Sequence, residues 1–328
     1  MQKKLTIVMY HYVRDLKNSR YPGIKGLPTD LFREQIHYLK KNYNIVRIEE
    51  VIAAYAGEFV LPDNPVLLTF DDAYSDHFSN AFPILKHEGI QGCFFPPVKA
   101  VTEHIVLDVN KIHFILASTP EDKMPSLLDE LRRKVDENRE EYGLDSFDNY
   151  FEKLAVANRF DSKEVIFIKR LLQVALPEDL RKKLATELFE KSVGMEESVF
   201  SRELYMSLDQ IKCMVDCGMH IGSHGYDHYW LGSLSKEQQE FEIQKSVEFI
   251  NAIGGDVNNW SICYPYGNYN TDTLEIIKCY GCKLGLTTVV NKAEVVAGNG
   301  DSVYTLPRLD TNDLPKDRYA LTDKWKDK

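Results

Sequence analysis

The feature that most constrains this chain is the run Val66-Leu67-Leu68-Thr69-Phe70, which flows into two adjacent acids, Asp71 and Asp72. A run with no polar alternation reads as a strand buried on both faces, as in a parallel sheet with helices outside it. Two carboxylates at its C-terminal end are costly to desolvate without a partner. Either they serve a metal or a reaction, or they sit in a loop and cap the helix that follows. The run alone leaves both open.

The segments around it alternate. Residues 4–10 read as a first strand, with His11 and Tyr12 leaving its end, and Thr29 or Asp30 caps a helix with the apolar face Leu31, Phe32, Ile36 and Leu39. A short strand at 45–48 and a helix over 49–57 precede the central strand. A helix over about 75–88, stopped by Gly89, and a buried strand at Gly92–Phe95 follow it. Between 99 and 202 the style changes to charged, helix-period runs without a strand, read as a helical insertion that is either a lid or a partner surface. Alternation resumes with the capping box Ser207–Gln210, a helix ending at Gly218, a strand over 219–223 and a second capping box, Ser235–Gln238, opening a helix to Ile253. A strand over 260–263, a helix over about 271–280, strands near 284–287 and 303–306 and a polar tail complete the chain. The domains expected are thus an α/β unit over 1–98 and 203–328, interrupted by the insertion at 99–202.

The net charge of −10, with no basic block interleaved with aromatics, argues against nucleic acid as a partner. No 18-residue apolar run is present for a membrane span. The N-terminus has two lysines and only a short apolar stretch, which reads as strand rather than signal peptide, so a cytoplasmic protein is expected. The cysteines, among them one CxxC at Cys279–Cys282, are scattered and read as reduced, packed thiols.

Chemistry-bearing residues recur where a strand ends and a helix is about to begin: His11, Asp71 with Asp72, His224 with His228, and Pro265-Tyr266-Gly267. That edge is where α/β folds build their sites. Two histidines four apart with one distant carboxylate form a His₂Asp set that leaves a position for water on zinc or a similar cation.

In Thr69-Phe70-Asp71-Asp72-Ala73, Ile221-Gly222-Ser223-His224-Gly225-Tyr226-Asp227-His228 and Tyr264-Pro265-Tyr266-Gly267 the chain resembles the polysaccharide deacetylases of the NodB-homology type, carbohydrate esterase family 4. The resemblance covers about 1–98 and 203–310. It implies a distorted (β/α)₇ barrel and metal-assisted hydrolysis of an N-acetyl group on a sugar. Asp72, His224 and His228 would hold the metal, most simply Zn²⁺, with Asp71 as general base. The Tyr266 backbone N–H would meet the oxyanion, on a turn set by Pro265 and Gly267.

The chain departs from that pattern in three places. Gly225 replaces a common Ser or Thr, at the loss of a hydrogen bond behind the ligands. Cys263 stands where an arginine would orient the base, and Arg308 is the candidate replacement. No histidine follows His228, so the general acid would be His11 on the first strand. Tyr74 and Trp230 are candidates for a sugar subsite or for the core, Asp227 for a place behind the ligands or in solvent. Lys25 could meet an anionic part of the substrate. His37, His77, His87, His104 and His113 read as helix-surface or insertion residues.

The expected substrate is an N-acetyl sugar, free, nucleotide-linked or lipid-linked, as an intermediate of surface-polysaccharide synthesis. Hydrolysis of another amide or imide bond is a second reading. A non-catalytic glycan-binding or assembly protein is a third, and the insertion could also pair copies of the chain.

Overall fold

The computed structural model describes residues 3–157, 161–298 and 300–326. Two compact units emerge: residues 1–15, 26–105 and 202–328 form one, residues 16–25 and 106–201 the other.

The first unit is built on parallel strands. The central run becomes β3 (Pro65–Asp71), buried along its whole length. β1 (Lys3–Tyr10) lies parallel on one side of it, with Thr6 opposite Val66 and Tyr10 opposite Phe70. β2 (Asn44–Ile45) pairs with the start of β3, and β4 (Cys93–Phe95) pairs with its end, placing Asp71 opposite Phe95. β5 (His220–Ile221) continues parallel beside β4.

Beyond β5 the pairing thins. A single bridge, Ser223 to Ile262, leads to β6 (Ser261–Cys263), which pairs in parallel with β7 (Leu284–Leu286). A second bridge, Leu286 to Leu306, leads towards β9 (Leu309–Asp310), which lies parallel to β1. The strands thus form a seven-stranded sheet and a two-stranded sheet joined by single bridges, a mixed α/β arrangement consistent with a distorted barrel. An antiparallel strand, β8 (Ala293–Val295), sits outside the series on β1.

Helices follow the strands: α1 (Thr29–Asn42), α2 (Ile48–Ala56), α3 (Phe82–Glu88), α4 (Val98–Thr102), α5 (Leu208–Asp216), α6 (Lys236–Ala252) and α7 (Thr271–Cys279). Of these, α4 is not among the helices expected, and α1 starts after Pro28 with Thr29 and Asp30 already inside it and no side-chain cap. The capping boxes at Ser207 and Ser235 form, and Gly89 closes α3 at φ +69°.

Three local readings change. The segment before α3 is a π-type turn, His77–Ala81. Gly300–Tyr304 is a 3₁₀ turn rather than a strand, leaving Leu306 as the pairing residue. The polar tail is docked: buried Gln35 donates to the carbonyls of Thr311 and Leu314, and Tyr38 and Tyr43 both donate to Asp323. Trp325 packs against the core.

The second unit is helical among its described residues, as its charge pattern suggests. Its centre joins Ile112, Leu131, Phe167, Leu184 and Leu188, with Tyr21, Phe114 and Phe200 edge to face. Lys25 is taken up inside this unit by Asp161, which Lys169 also reaches at 2.8 Å. No described helix is long and apolar enough to cross a membrane, and all six cysteines are free thiols.

Candidate active site

The site gathers at the carboxyl ends of the parallel strands. β3 delivers Asp71 in extended conformation, and the chain then reverses through two left-handed residues, Asp72 (φ +75°) and Ala73 (φ +55°). The reversal is pinned by bonds from the Asp72 N–H to the Phe95 carbonyl (3.2 Å) and from the Met206 N–H to the Ala73 carbonyl (2.9 Å). Among the described residues, six other than glycine have positive φ, and four of them, Asp72, Ala73, His228 and Tyr266, line this site. L-residues adopt that region at a cost, so the surrounding packing must hold them there.

Asp72 sits between the two histidines. Its Oδ1 is 3.4 Å from both His224 Nε2 and His228 Nε2, is buried and has no hydrogen-bond partner. Its Oδ2 accepts from the Tyr74 hydroxyl at 2.7 Å. His224 Nδ1–H donates to the Cys263 carbonyl at 2.6 Å, which leaves Nε2 facing the cluster. Burial and the nearby His224 push the His228 pKa down to about 3, keeping its imidazole neutral as a ligand must be. Burial works to raise the Asp72 pKa, but the two histidines hold it well below the usual carboxylate range.

These residues fit a cation. One orphaned carboxylate oxygen and two imidazole Nε2 atoms converge, and two ligands of a tetrahedral ion with bonds of about 2.0–2.1 Å stand about 3.3–3.4 Å apart. Burial works to lower the His224 pKa, but Cys263, Asp72 and Asp71 raise it, so a cation there would displace its proton. Asp72, His224 and His228 form one of two possible metal-holding groups among the described residues; the other is Asp71, His224 and Cys263. In the second group Asp71 is already committed to an arginine. The CxxC belongs to neither group.

Asp71, whose carboxylate lies within 4.8 Å of a His224 ring nitrogen, sits in a buried ion pair. Arg308, 1% exposed, donates from Nη1 to Oδ1 (2.9 Å) and from Nη2 to Oδ2 (2.8 Å), while its Nε–H donates to the Thr287 carbonyl. The Cys263 thiol donates to Oδ2 at 3.2 Å. Burial alone would raise the Asp71 pKa; the Arg308 charge overrides it and holds the acid far below its ordinary value. His11 Nε2 lies 4.0 Å from Asp71 Oδ2, with its side chain 40% exposed and its carbonyl held by His77 Nε2–H at 2.8 Å.

The motif Pro265-Tyr266-Gly267 forms a tight turn with Tyr266 at φ +57°. Gly267, at φ +69°, packs so closely on Thr288 that a Cβ would collide with it. The Tyr266 ring stacks on Trp230 (4.4 Å, 9°) and meets the edge of His228 (4.7 Å).

The structure thus brings together Asp71, Asp72, His224, His228, Arg308 and His11, with Tyr266 and Trp230 against His228. Tyr74 has a different place from a sugar-facing ring. It is fully buried, stacked on Tyr12 at 3.8 Å, with its hydroxyl behind Asp72. His77 is likewise no surface residue: it is wholly buried and bonds the His11 carbonyl. Asp227 is ion-paired with Lys99 at 2.6 Å. Sequence reasoning passed over Glu242 on α6, whose Oε2 accepts from the N–H groups of Tyr226 (2.7 Å) and Asp227 (2.9 Å). Its signal was a helical stripe, 239, 242, 243, 246, 249 and 250, in which the acid shares the buried face.

Comparison with known proteins agrees with the resemblance read from the motifs. Residues 188–285, which carry His224, His228 and the Pro265-Tyr266-Gly267 turn, match the polysaccharide deacetylase family model, so over that stretch the chain is similar to polysaccharide deacetylases.

Among its relatives, YxkH of Bacillus subtilis (strain 168) is 30% identical over 125 residues, 36% of this chain and 43% of that protein. The poly-β-1,6-N-acetyl-D-glucosamine N-deacetylase of Escherichia coli (strain K12) is 35% identical over 81 residues, 24% of this chain and 12% of that one. The matches therefore span less than half the length of these relatives. The fold is shared with deacetylase PplD of Streptococcus pyogenes (TM-score 0.56, 19% identity, covering 94% of this chain and 93% of that one). It is shared also with IcaB of Ammonifex degensii (TM-score 0.54, 19% identity, covering 94% and 92%).

Proposed function

We propose that this chain is a metal-dependent carbohydrate N-deacetylase acting on an N-acetylated sugar, free or carried on a nucleotide, lipid or glycan. The observation that carries the reading is the division of labour between two adjacent acids. Asp72 completes a His₂Asp donor set, while Asp71, locked to Arg308, stays ionised beside it. Ligand binding alone would not need the second carboxylate. The name of the Escherichia coli relative supports an N-acetylglucosamine unit as substrate.

Asp72 Oδ1, His224 Nε2 and His228 Nε2 would hold the metal, for which Zn²⁺ suits the donor set. When bound, it would supply Lewis-acid polarisation of the acetyl carbonyl and acidify the attacking water. Asp71 accepts the proton of that water. A carboxylate held this far down is a weak base, adequate where the water itself is acidified. Arg308 and the Cys263 thiol fix the orientation of Asp71 and leave it little freedom to turn. His11, half-buried with its Nε2 4.0 Å from Asp71 Oδ2, delivers a proton to the departing amine. The Tyr266 N–H, aimed by its left-handed turn, donates to the developing oxyanion. Trp230 and Tyr266 offer aromatic surface to a pyranose ring.

Two of the sequence's departures support this reading. Arg308 supplies from beside β9 the guanidinium that Cys263 lacks, which weakens the case for a non-catalytic protein. His11 reaches the same acid from β1.

The test combines metal content with acetate release across a panel of N-acetyl sugars, for wild type, Asp71→Asn and His224→Ala. About one equivalent of zinc in wild type, lost in His224→Ala, with acetate formed by wild type only and metal kept in Asp71→Asn, is the expected pattern. No acetate from any N-acetyl sugar by metal-loaded wild type would refute the activity.

A further inference from the structure

The two histidine ligands lie four residues apart, but not on a helix. On a helix, that spacing would place both side chains on one face automatically. Residues 222–230 are irregular, and His228 itself is left-handed at φ +56°. The separation of the two Nε2 atoms therefore depends on whatever fixes the backbone between them.

That backbone is held from two sides. The first N–H groups of α4, on Val98 and Lys99, donate to the carbonyls of Gly225 (3.3 Å) and Tyr226 (2.9 Å). From the opposite side a single oxygen, Glu242 Oε2, accepts from the N–H of Tyr226 and of Asp227. Glu242 is 3% exposed on the buried face of α6. Burying a carboxylate in such a face is unfavourable, and the two N–H groups on Oε2 offset part of that cost.

Gly225 explains why the acid can come so close. At φ +74° it occupies a conformation that favours glycine, and a Cβ there would stand 3.1 Å from Glu242 Oε2. A Ser or Thr at this position would crowd the carboxylate that binds the next two amides.

We propose that Glu242 is a positioning residue for the metal site: it clamps the Tyr226–Asp227 backbone and so sets the spacing of His224 and His228. It takes over the support that a hydroxyl residue at 225 would give. The inference rests on the metal-site reading above and adds to it a residue outside the three sequence motifs.

The experiment compares wild type, Glu242→Gln and Glu242→Met in the full chain, with zinc affinity measured by chelator competition and folding by circular dichroism. Glu242→Met keeps the side-chain length but has no acceptor, and should lose about 10–100-fold in zinc affinity. Glu242→Gln retains an amide oxygen for both N–H groups and should stay within a few-fold of wild type. A folded Glu242→Met that binds zinc within twofold of wild type overturns the proposal, because a purely structural residue would change stability alone.

Hydrogen exchange on metal-free wild type gives a second, independent measurement. The Tyr226 and Asp227 amides should be as protected as the Val98 and Lys99 amides, and exchange at exposed-loop rates would overturn the clamp. Wild type that takes up no zinc would instead overturn the metal reading, while the exchange measurement would still decide the clamp.

Discussion

Replacing Arg308 by Met tests the buried pair on which the assignment of Asp71 depends. Arg308 and Asp71 are 1% and 2% exposed, so solvent screens their attraction little. Opposite charges about 4 Å apart attract by about 4 kcal/mol at an effective dielectric near 20. Removing one partner of such a pair costs roughly 3–5 kcal/mol, because the other charge is left buried and uncompensated.

The cost should depend on pH. In wild type the Asp71 pKa lies far below its unfolded value, so its stabilising contribution is complete above the ordinary carboxylate range and is lost only as pH falls towards the depressed value. In the variant the Arg308 charge and its hydrogen bonds are gone, so burial, still opposed by His224 and His11, lifts the folded pKa relative to wild type. Asp71 then takes up its proton at a higher pH than in wild type, and the stability lost relative to wild type shrinks as pH falls.

All three tryptophans, Trp230, Trp260 and Trp325, lie in the first, strand-containing unit, so urea unfolding followed by their fluorescence reports on this unit separately from the helical one. Arg308→Met should lose about 3–5 kcal/mol at pH 7 and less at pH 4. The double variant Asp71→Asn with Arg308→Met should recover most of the loss. A loss under about 1 kcal/mol at pH 7, or one that does not shrink towards acid, would refute an ionised Asp71 held by Arg308.

Three further outcomes are expected. Tyr74→Phe keeps the stacking on Tyr12 but frees Asp72 Oδ2, and should weaken zinc binding about tenfold in chelator competition; unchanged affinity would deny the hydroxyl its role. His11→Gln should lower kcat for acetate release by about 10²–10⁴ at unchanged zinc content, and a rate within threefold of wild type would remove His11 as the acid. Burial pushes the Glu242 pKa up to about 7, against about 4.5 when exposed, so the folded unit retains a proton that the unfolded chain loses and becomes less stable as pH rises between those values. The urea midpoint of Glu242→Gln should therefore gain on that of wild type between pH 5 and pH 8, by up to about 3 kcal/mol in stability; a constant difference would contradict this.

The parts of the site visible in the sequence are those whose signal is local. β3 shows itself because a strand buried on both faces must be apolar at every position, and the acids stand out as the point where that run stops. His224 and His228 are conspicuous by type and spacing, and Arg308 by its place beside a strand. His77 and Glu242 carry no such mark, because each acts through an approach between separate segments. His77 reaches back 66 residues to the His11 carbonyl, and Glu242 reaches 16 and 15 residues to two amides. Within Glu240-Phe241-Glu242 the two acids look alike; only the helical period, which puts 242 on the stripe of Ile243, Ser246 and Phe249, separates them. The docked tail was misleading for the same reason, since polar composition describes the residues and not the partners that Gln35, Tyr38 and Tyr43 provide.

Backbone conformation is still less legible. Glycine announces left-handed positions at 225 and 267, but Asp72, Ala73, His228 and Tyr266 adopt the same region with side chains that usually avoid it. Such residues stay put only where the frame over-determines them. Here the frame is specific: the Phe95 carbonyl and Met206 amide at the Asp72–Ala73 reversal, the Thr288 contact under Gly267, and α4 with Glu242 around the His228 loop. The apolar strands make the sheet, but it is these polar attachments that turn three strand ends into one set of convergent donors. A substitution that spares every motif residue and removes an attachment should therefore disable the site while leaving the fold intact.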